Sequence, residues 1–217
     1  MIDLIAIENH LPALQVVVPL LLAPVAILVS LPFLSWLVAL FGSLFCLYSS
    51  VSLFFQVSEF GKINYFMGGW LPPYGIEYVI DEASSFMIVL ISLMGVFATI
   101  FAYQSLKKEI NEKSQSKVYG MWLLALGGLL GLVTTGDAFN LFVFLEISSL
   151  SSVTLVALGS KKDKRALTAA FNYLLIGAVG ATFYVIGVGL LYSVTGTLNI
   201  ADLTIKISEL TANNSVK

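Results

Sequence analysis

Thirteen acidic side chains occur in this 217-residue sequence, and twelve of them fall in polar stretches or at the ends of apolar runs, where solvation costs little. Glu146 does not. It stands in the run Asp137-Ala-Phe-Asn-Leu-Phe-Val-Phe-Leu-Glu146, about nine residues past Asp137, which at about 1.5 Å per residue is roughly 14 Å along a helix and near the middle of a membrane. A carboxylate at that depth costs about 2.5 kcal/mol or more unless it is protonated, hydrated or paired, so it marks a path for ions or protons. Such a group holds or releases its proton according to where a neighbouring cation sits, which is the physics of a proton relay. The alternative is a neutral acid serving only as a hydrogen bond between helices.

Hydroxyls crowd the same run at Ser148, Ser149, Ser151, Ser152 and Thr154. Ser149 follows Glu146 by three residues and shares nearly its helix face, where it could bond the carboxylate or a chain of waters. Small residues at these positions equally permit close helix contact. Asp137, just after Gly136, suits a helix N-cap and the positive end of the helix dipole, with a role in ion access as the alternative. Asp81 and Glu82 open an earlier run in the same way. No Lys, Arg or His lies inside any long apolar run, so a cationic partner for Glu146 must come from elsewhere. His10 and Cys46 are each the only residue of their type, which excludes an internal disulfide and a cysteine metal cluster. His10 is expected at an interface and Cys46 as a small buried hydrophobe. No phosphate-loop, dinucleotide or hydrolase-elbow motif occurs, so neither a cofactor nor a catalytic site is expected.

The elements that must position these residues are membrane helices. The chain is 58% apolar and only 11% charged, with a mean hydropathy of +0.94, far from the balance of a water-soluble domain. Apolar runs of the length a bilayer requires predict an all-α integral membrane protein, a single membrane domain over 1–217. Six spans are expected, at about 11–30, 33–55, 82–104, 118–134, 137–158 and 167–194. Residues 56–80 combine Gly61, Gly68, Gly69, Pro72, Pro73 and Gly75 with Tyr65, Trp70, Tyr74 and Tyr78, which predicts an ordered external loop with hairpin character. The chain turns polar after Thr195, and 195–217 reads as a polar tail, frayed from Ser208 onward. Gly127 and Gly131, and Gly177 with Gly180 and Ala181, are small positions suited to close helix packing.

Charge sets the orientation. Lys107, Lys108, Lys113 and Lys117 lie between the third and fourth spans, and Lys161, Lys162, Lys164 and Arg165 between the fifth and sixth. Basic loops stay cytoplasmic, so both termini are expected outside, with these clusters as anchors. The start Met-Ile-Asp-Leu-Ile-Ala-Ile-Glu has no basic segment and no small-residue cleavage site, so no removable signal peptide is expected. A net charge of -2 argues against a nucleic-acid partner.

Three stretches carry a family resemblance. Thr134-Thr-Gly-Asp-Ala-Phe-Asn-Leu-Phe-Val-Phe-Leu-Glu146 resembles the antiporter-like proton-conducting membrane subunits of Mrp-type cation/proton antiporters, membrane-bound hydrogenases and respiratory complex I. Tyr192-Ser-Val-Thr-Gly-Thr-Leu-Asn-Ile-Ala-Asp-Leu203 is similar to that family's segment after the sixth helix. Met67-Gly-Gly-Trp-Leu-Pro-Pro-Tyr-Gly-Ile-Glu77, followed by Asp81, is similar to its loop before the third helix, particularly in the D-type Mrp subunit. The resemblance implies a multi-pass protein of a prokaryotic plasma membrane, inside a complex of several membrane subunits, handling protons and, by way of exchange, Na+. It implies that Glu146 is a proton-relay acid whose partner is a lysine in a seventh helix. The chain stops near the place where that helix begins, which leaves the lysine to another chain or to a continuation of this one. A non-conducting assembly subunit is the alternative reading.

Overall fold

The computed structural model describes residues 9–161 and 163–214. The N-terminal stretch 1–8, Lys162 and Lys217 lie outside the described residues. Six helices are long and apolar enough to cross a bilayer: α1 (Leu11–Leu28), α2 (Pro32–Phe60), α3 (Glu82–Glu109), α4 (Glu112–Thr134), α5 (Ala138–Leu158) and α6 (Arg165–Thr195). Two strands, β1 (Ile63–Phe66) and β2 (Glu77–Ile80), join α2 to α3, and a last helix, α7 (Ile200–Asn214), follows α6.

Local chemistry accounts for the boundaries. Proline stands in the first turn of both α1 and α2, where its missing N–H would have no helical partner. Pro19 continues α1 but cannot bond the Gln15 carbonyl four residues back, and the Cys46 thiol of α2 donates to that oxygen at 3.6 Å. Cys46 is thus buried, as expected, and also supplies a missing donor. The hairpin pairs β1 and β2 antiparallel with Tyr65 opposite Tyr78 and Phe66 opposite Glu77. Gly68 and Gly69 turn the chain beyond β1 at φ of 64° and 76°, a region that side chains disfavour. Asp81 closes the start of α3 with a reciprocal capping box: its carboxylate accepts from Ser84 N–H at 2.8 Å, and its own N–H donates to Ser84 Oγ at 2.7 Å.

Helix α4 is the most deeply covered span and packs against α1, α2, α3 and α5, whereas α6 touches mainly α5 and is the least covered. Glycines permit this. A Cβ on Gly128 would stand 2.8 Å from the backbone nitrogen of Ser148, and one on Gly131 would collide with the Phe144 ring, so α5 can approach only because both side chains are missing. Gly127 abuts Leu20 and Pro19 of α1 in the same way, Gly177 meets Ser149, and Gly180 faces open space.

Two stretches differ from the sequence reading. The charged segment 107–113 is a turn only at Ile110 and Asn111; its other residues extend α3 and α4, and Lys107 holds its ammonium 3.9 Å from the Tyr103 ring centre. Residues 200–214 are helical rather than frayed. Ile200, Leu203, Ile207 and Leu210 recur at helical spacing, with Leu203 buried among Ala138 and Val188.

Candidate functional site

Glu146 is the ninth of the 21 residues of α5, close to the middle of that span. It is half-buried. Along the same stripe of the helix, at the spacings that bring side chains into line, Phe139, Val143 and Leu150 are 46%, 36% and 48% exposed. The opposite stripe, Phe144, Ser148 and Ser151, is buried towards α4. Glu146 therefore stands on a face of α5 that this chain leaves open. Among the described residues it makes no hydrogen bond or ion pair.

The hydroxyls nearby turn elsewhere. Ser148, Ser152 and Thr154 each donate to a carbonyl of their own helix at 3.0, 2.8 and 2.8 Å, and Ser151 does the same to Ile147. Ser149 Oγ lies 3.1 Å from where a Cβ on Gly177 would stand, so it fills the α5–α6 contact, and no hydrogen bond joins it to Glu146 among the described residues. Asp137 is the N-cap of α5, accepting the Asn140 N–H at 2.7 Å. Burial pushes its carboxyl above the usual range, against the opposing pull of the backbone N–H groups of Asn140 and Phe139. His10 Nδ1 lies 2.8 Å from the Tyr65 hydroxyl, and no metal-holding cluster occurs among the described residues.

A second group of polar residues sits at the hairpin end of the bundle, and the sequence reading did not single it out. The segment between α4 and α5 is clasped from both sides: Gly136 N–H donates to the Glu77 carbonyl at 2.8 Å, and the Ile200 N–H donates to the Gly136 carbonyl at 2.9 Å. This brings the side chains of β2, α5 and the α6–α7 link together. Asn199 Nδ2 donates to Glu77 Oε2 at 2.8 Å, and its Oδ1 accepts the Asp202 N–H at 3.1 Å. Asn140 Nδ2 donates to Thr135 Oγ1 at 3.0 Å. Burial raises the Tyr78 hydroxyl's pKa, and the Asn140 side chain partly offsets this. Thr135, Asn140, Glu77 and Asn199 all lie in the stretches that carry the family resemblance, but Glu77 and Asn199 are 122 residues apart, and nothing local links them.

Comparison with known proteins places this geometry in context. Residues 48–215 match the family described as NADH dehydrogenase I, subunit N related protein. The chain is 41% identical over 204 residues to NADH-quinone oxidoreductase subunit N of Desulforudis audaxviator, covering 93% of this chain and 40% of that protein. It is 32% identical over 203 residues to the D-type subunit of the Na(+)/H(+) antiporter of Alkalihalophilus pseudofirmus, again covering 93% of this chain and 40% of the relative. Among solved structures it is similar to a chain of the membrane-bound sulfane sulfur reductase, an archaeal respiratory membrane complex, with a TM-score of 0.82 and 32% identity over 90% of this chain and 40% of that one. The chain thus spans 40% of the length of each of these relatives.

Proposed function

The chain belongs to the family of proteins related to subunit N of NADH dehydrogenase I, and from that premise we propose that it is a proton-translocating component of a multisubunit membrane complex. That complex is a Mrp-type cation/proton antiporter or a related redox-driven ion pump, and Glu146 relays the proton. The observation that carries this reading is the placement of a carboxylate at mid-span on a face of α5 that its own chain leaves uncovered. The names of the relatives support the class of complex, since one is part of an antiporter and another belongs to a quinone oxidoreductase.

The open face implies a partner. An intramembrane lysine, from another subunit or from a continuation of this chain, approaches Glu146 directly or through one water. At about 4 Å and an effective dielectric of about 20, the attraction is about 4 kcal/mol, comparable with the cost of burying the carboxylate. Approach of the ammonium expels the proton, and its withdrawal lets the carboxylate reload, which makes the pair a two-state element.

Reconstitution of the complex in vesicles tests this. Replacing Glu146 with Gln or Ala is expected to cut proton-coupled transport at least tenfold while the subunits still assemble. Full transport by an assembled Glu146→Gln complex refutes the relay. Loss of assembly in place of turnover marks the chain as a scaffold instead.

A further inference from the structure

The hairpin end of the bundle contains a cavity of about 270 Å³, bounded by the hairpin, the start of α3, the end of α4 and the first turn of α7. Its polar lining is Glu77, Lys62, Asp81, Ser84, Thr135 and Thr204. At about 30 Å³ for each molecule of liquid water, it has room for several waters with ample hydrogen-bonding partners. We infer that this cavity is a proton-exchange antechamber, in which Glu77 takes protons from water at the hairpin end and passes them towards α5. The inference rests on the relay proposed at Glu146, which it supplies with a mouth.

Glu77 is only 7% exposed, and Asn199 beside it is 3% exposed. The Asn199 oxygen already accepts the Asp202 N–H, so its NH₂ group is aimed at the carboxylate and cannot be exchanged for an acceptor. One carboxylate oxygen is thereby held by Asn199. The other, Oε1, takes no hydrogen bond from the described residues. A buried carboxylate with one oxygen left free beside a polar-lined cavity is placed to trade protons with water: hydronium gives its proton to the carboxylate and leaves as water, and the reverse step restores both. Lys62 lines the same cavity without an ion pair among the described residues, and its ammonium disfavours a resident metal cation while leaving proton exchange open.

The side chains lead inward. Thr135 lines the cavity and accepts from Asn140, whose side chain lies beside the Tyr78 hydroxyl. Asn140 precedes Glu146 by six residues on α5, about 9 Å of helix rise and about 120° around the helix, so transfer between them requires water to enter the span. The charged and titratable groups around Glu77 are Lys62 before β1, Asp81 at the start of α3, Asp137 at the start of α5, Asp202 in α7, and Tyr65 and Tyr78 of the hairpin.

The test uses the intact complex in proteoliposomes, with Glu77→Gln, Glu77→Asp and Glu146→Gln compared side by side. Glu77→Gln is expected to lower the initial rate of proton transport about tenfold with assembly unchanged, Glu77→Asp to keep most of it, and imidazole at the hairpin side to restore the Gln variant by carrying protons into the cavity. A structural role for Glu77 predicts no such rescue. Wild-type rates and an unchanged pH profile in Glu77→Gln, with Glu146→Gln inactive, overturn the antechamber and leave the relay standing. Full activity in Glu146→Gln instead removes the relay, whatever Glu77 does. Should Glu77→Gln fail to assemble, Lys62→Glu on an exposed side chain decides: an alkaline shift of the transport pH profile supports the antechamber, and an unchanged profile overturns it.

Discussion

Asp81 and Asp137 hold the same position, the N-cap of a membrane helix, yet their surroundings push them in opposite directions. Hydrogen bonds from the backbone and side chain of Ser84 hold the exposed Asp81 below the usual carboxylate range, while burial lifts Asp137 above it. The stability that Asp81 contributes is therefore present above its unfolded pKa and is lost as pH falls through the lower folded value. For Asp137 the sign reverses: its contribution is complete below the unfolded pKa of about 3.9 and is lost as pH rises through the folded value. Asp137→Asn keeps an acceptor for the Asn140 N–H and sheds the buried charge, so at neutral pH it is expected to leave the melting temperature unchanged or raise it. Asp137→Ala loses the cap and about 1 kcal/mol. Thermal unfolding of the purified protein in detergent between pH 2 and 8 checks both signs, and a large loss of stability in Asp137→Asn at neutral pH would contradict them.

Among the elements, α4 is the one whose small residues set the spacing of the bundle. Gly128→Val places two methyl groups where a Cβ alone already meets the Ser148 backbone, and it is expected to cost about 1–3 kcal/mol and lower the melting temperature. Gly180→Ala, in open space on α6, is the matched control and is expected to be neutral or to stabilise the isolated chain by up to about 1 kcal/mol. The membrane spans were legible in the sequence because a helix that crosses lipid needs an apolar run and nothing subtler. The length of α3 and α4 was less so, since Lys107 and Glu112 look like loop residues, while a long stem lets a charged head leave the membrane without ending its helix. Helix α7 was hidden by its polar composition, its stripe from Ile200 to Leu210 being diluted by Lys206 and Glu209. The mid-span depth of Glu146 was legible in the sequence, and the burial of Glu77 was not, because it depends on Asn199 and on a strand that only the fold brings to it.

At the scale of the whole molecule, the basic clusters collect at one end and the hairpin with α7 at the other. Lysine retention predicts that the hairpin end is outside. Tyr74→Cys at the exposed hairpin tip is expected to react with a membrane-impermeant maleimide in intact cells, and Lys108→Cys only after the membrane is opened. The reverse pattern would invert the topology. The bond between Glu77 and Asn199 also has a consequence in time. Asn199 follows Glu77 by 122 residues, which at synthesis rates of about 5–20 residues per second is a delay of roughly 6–24 s. Throughout that interval the Glu77 carboxylate lacks its amide partner. A chain that ends before residue 199 therefore lacks the amide that holds one oxygen of the buried Glu77 carboxylate.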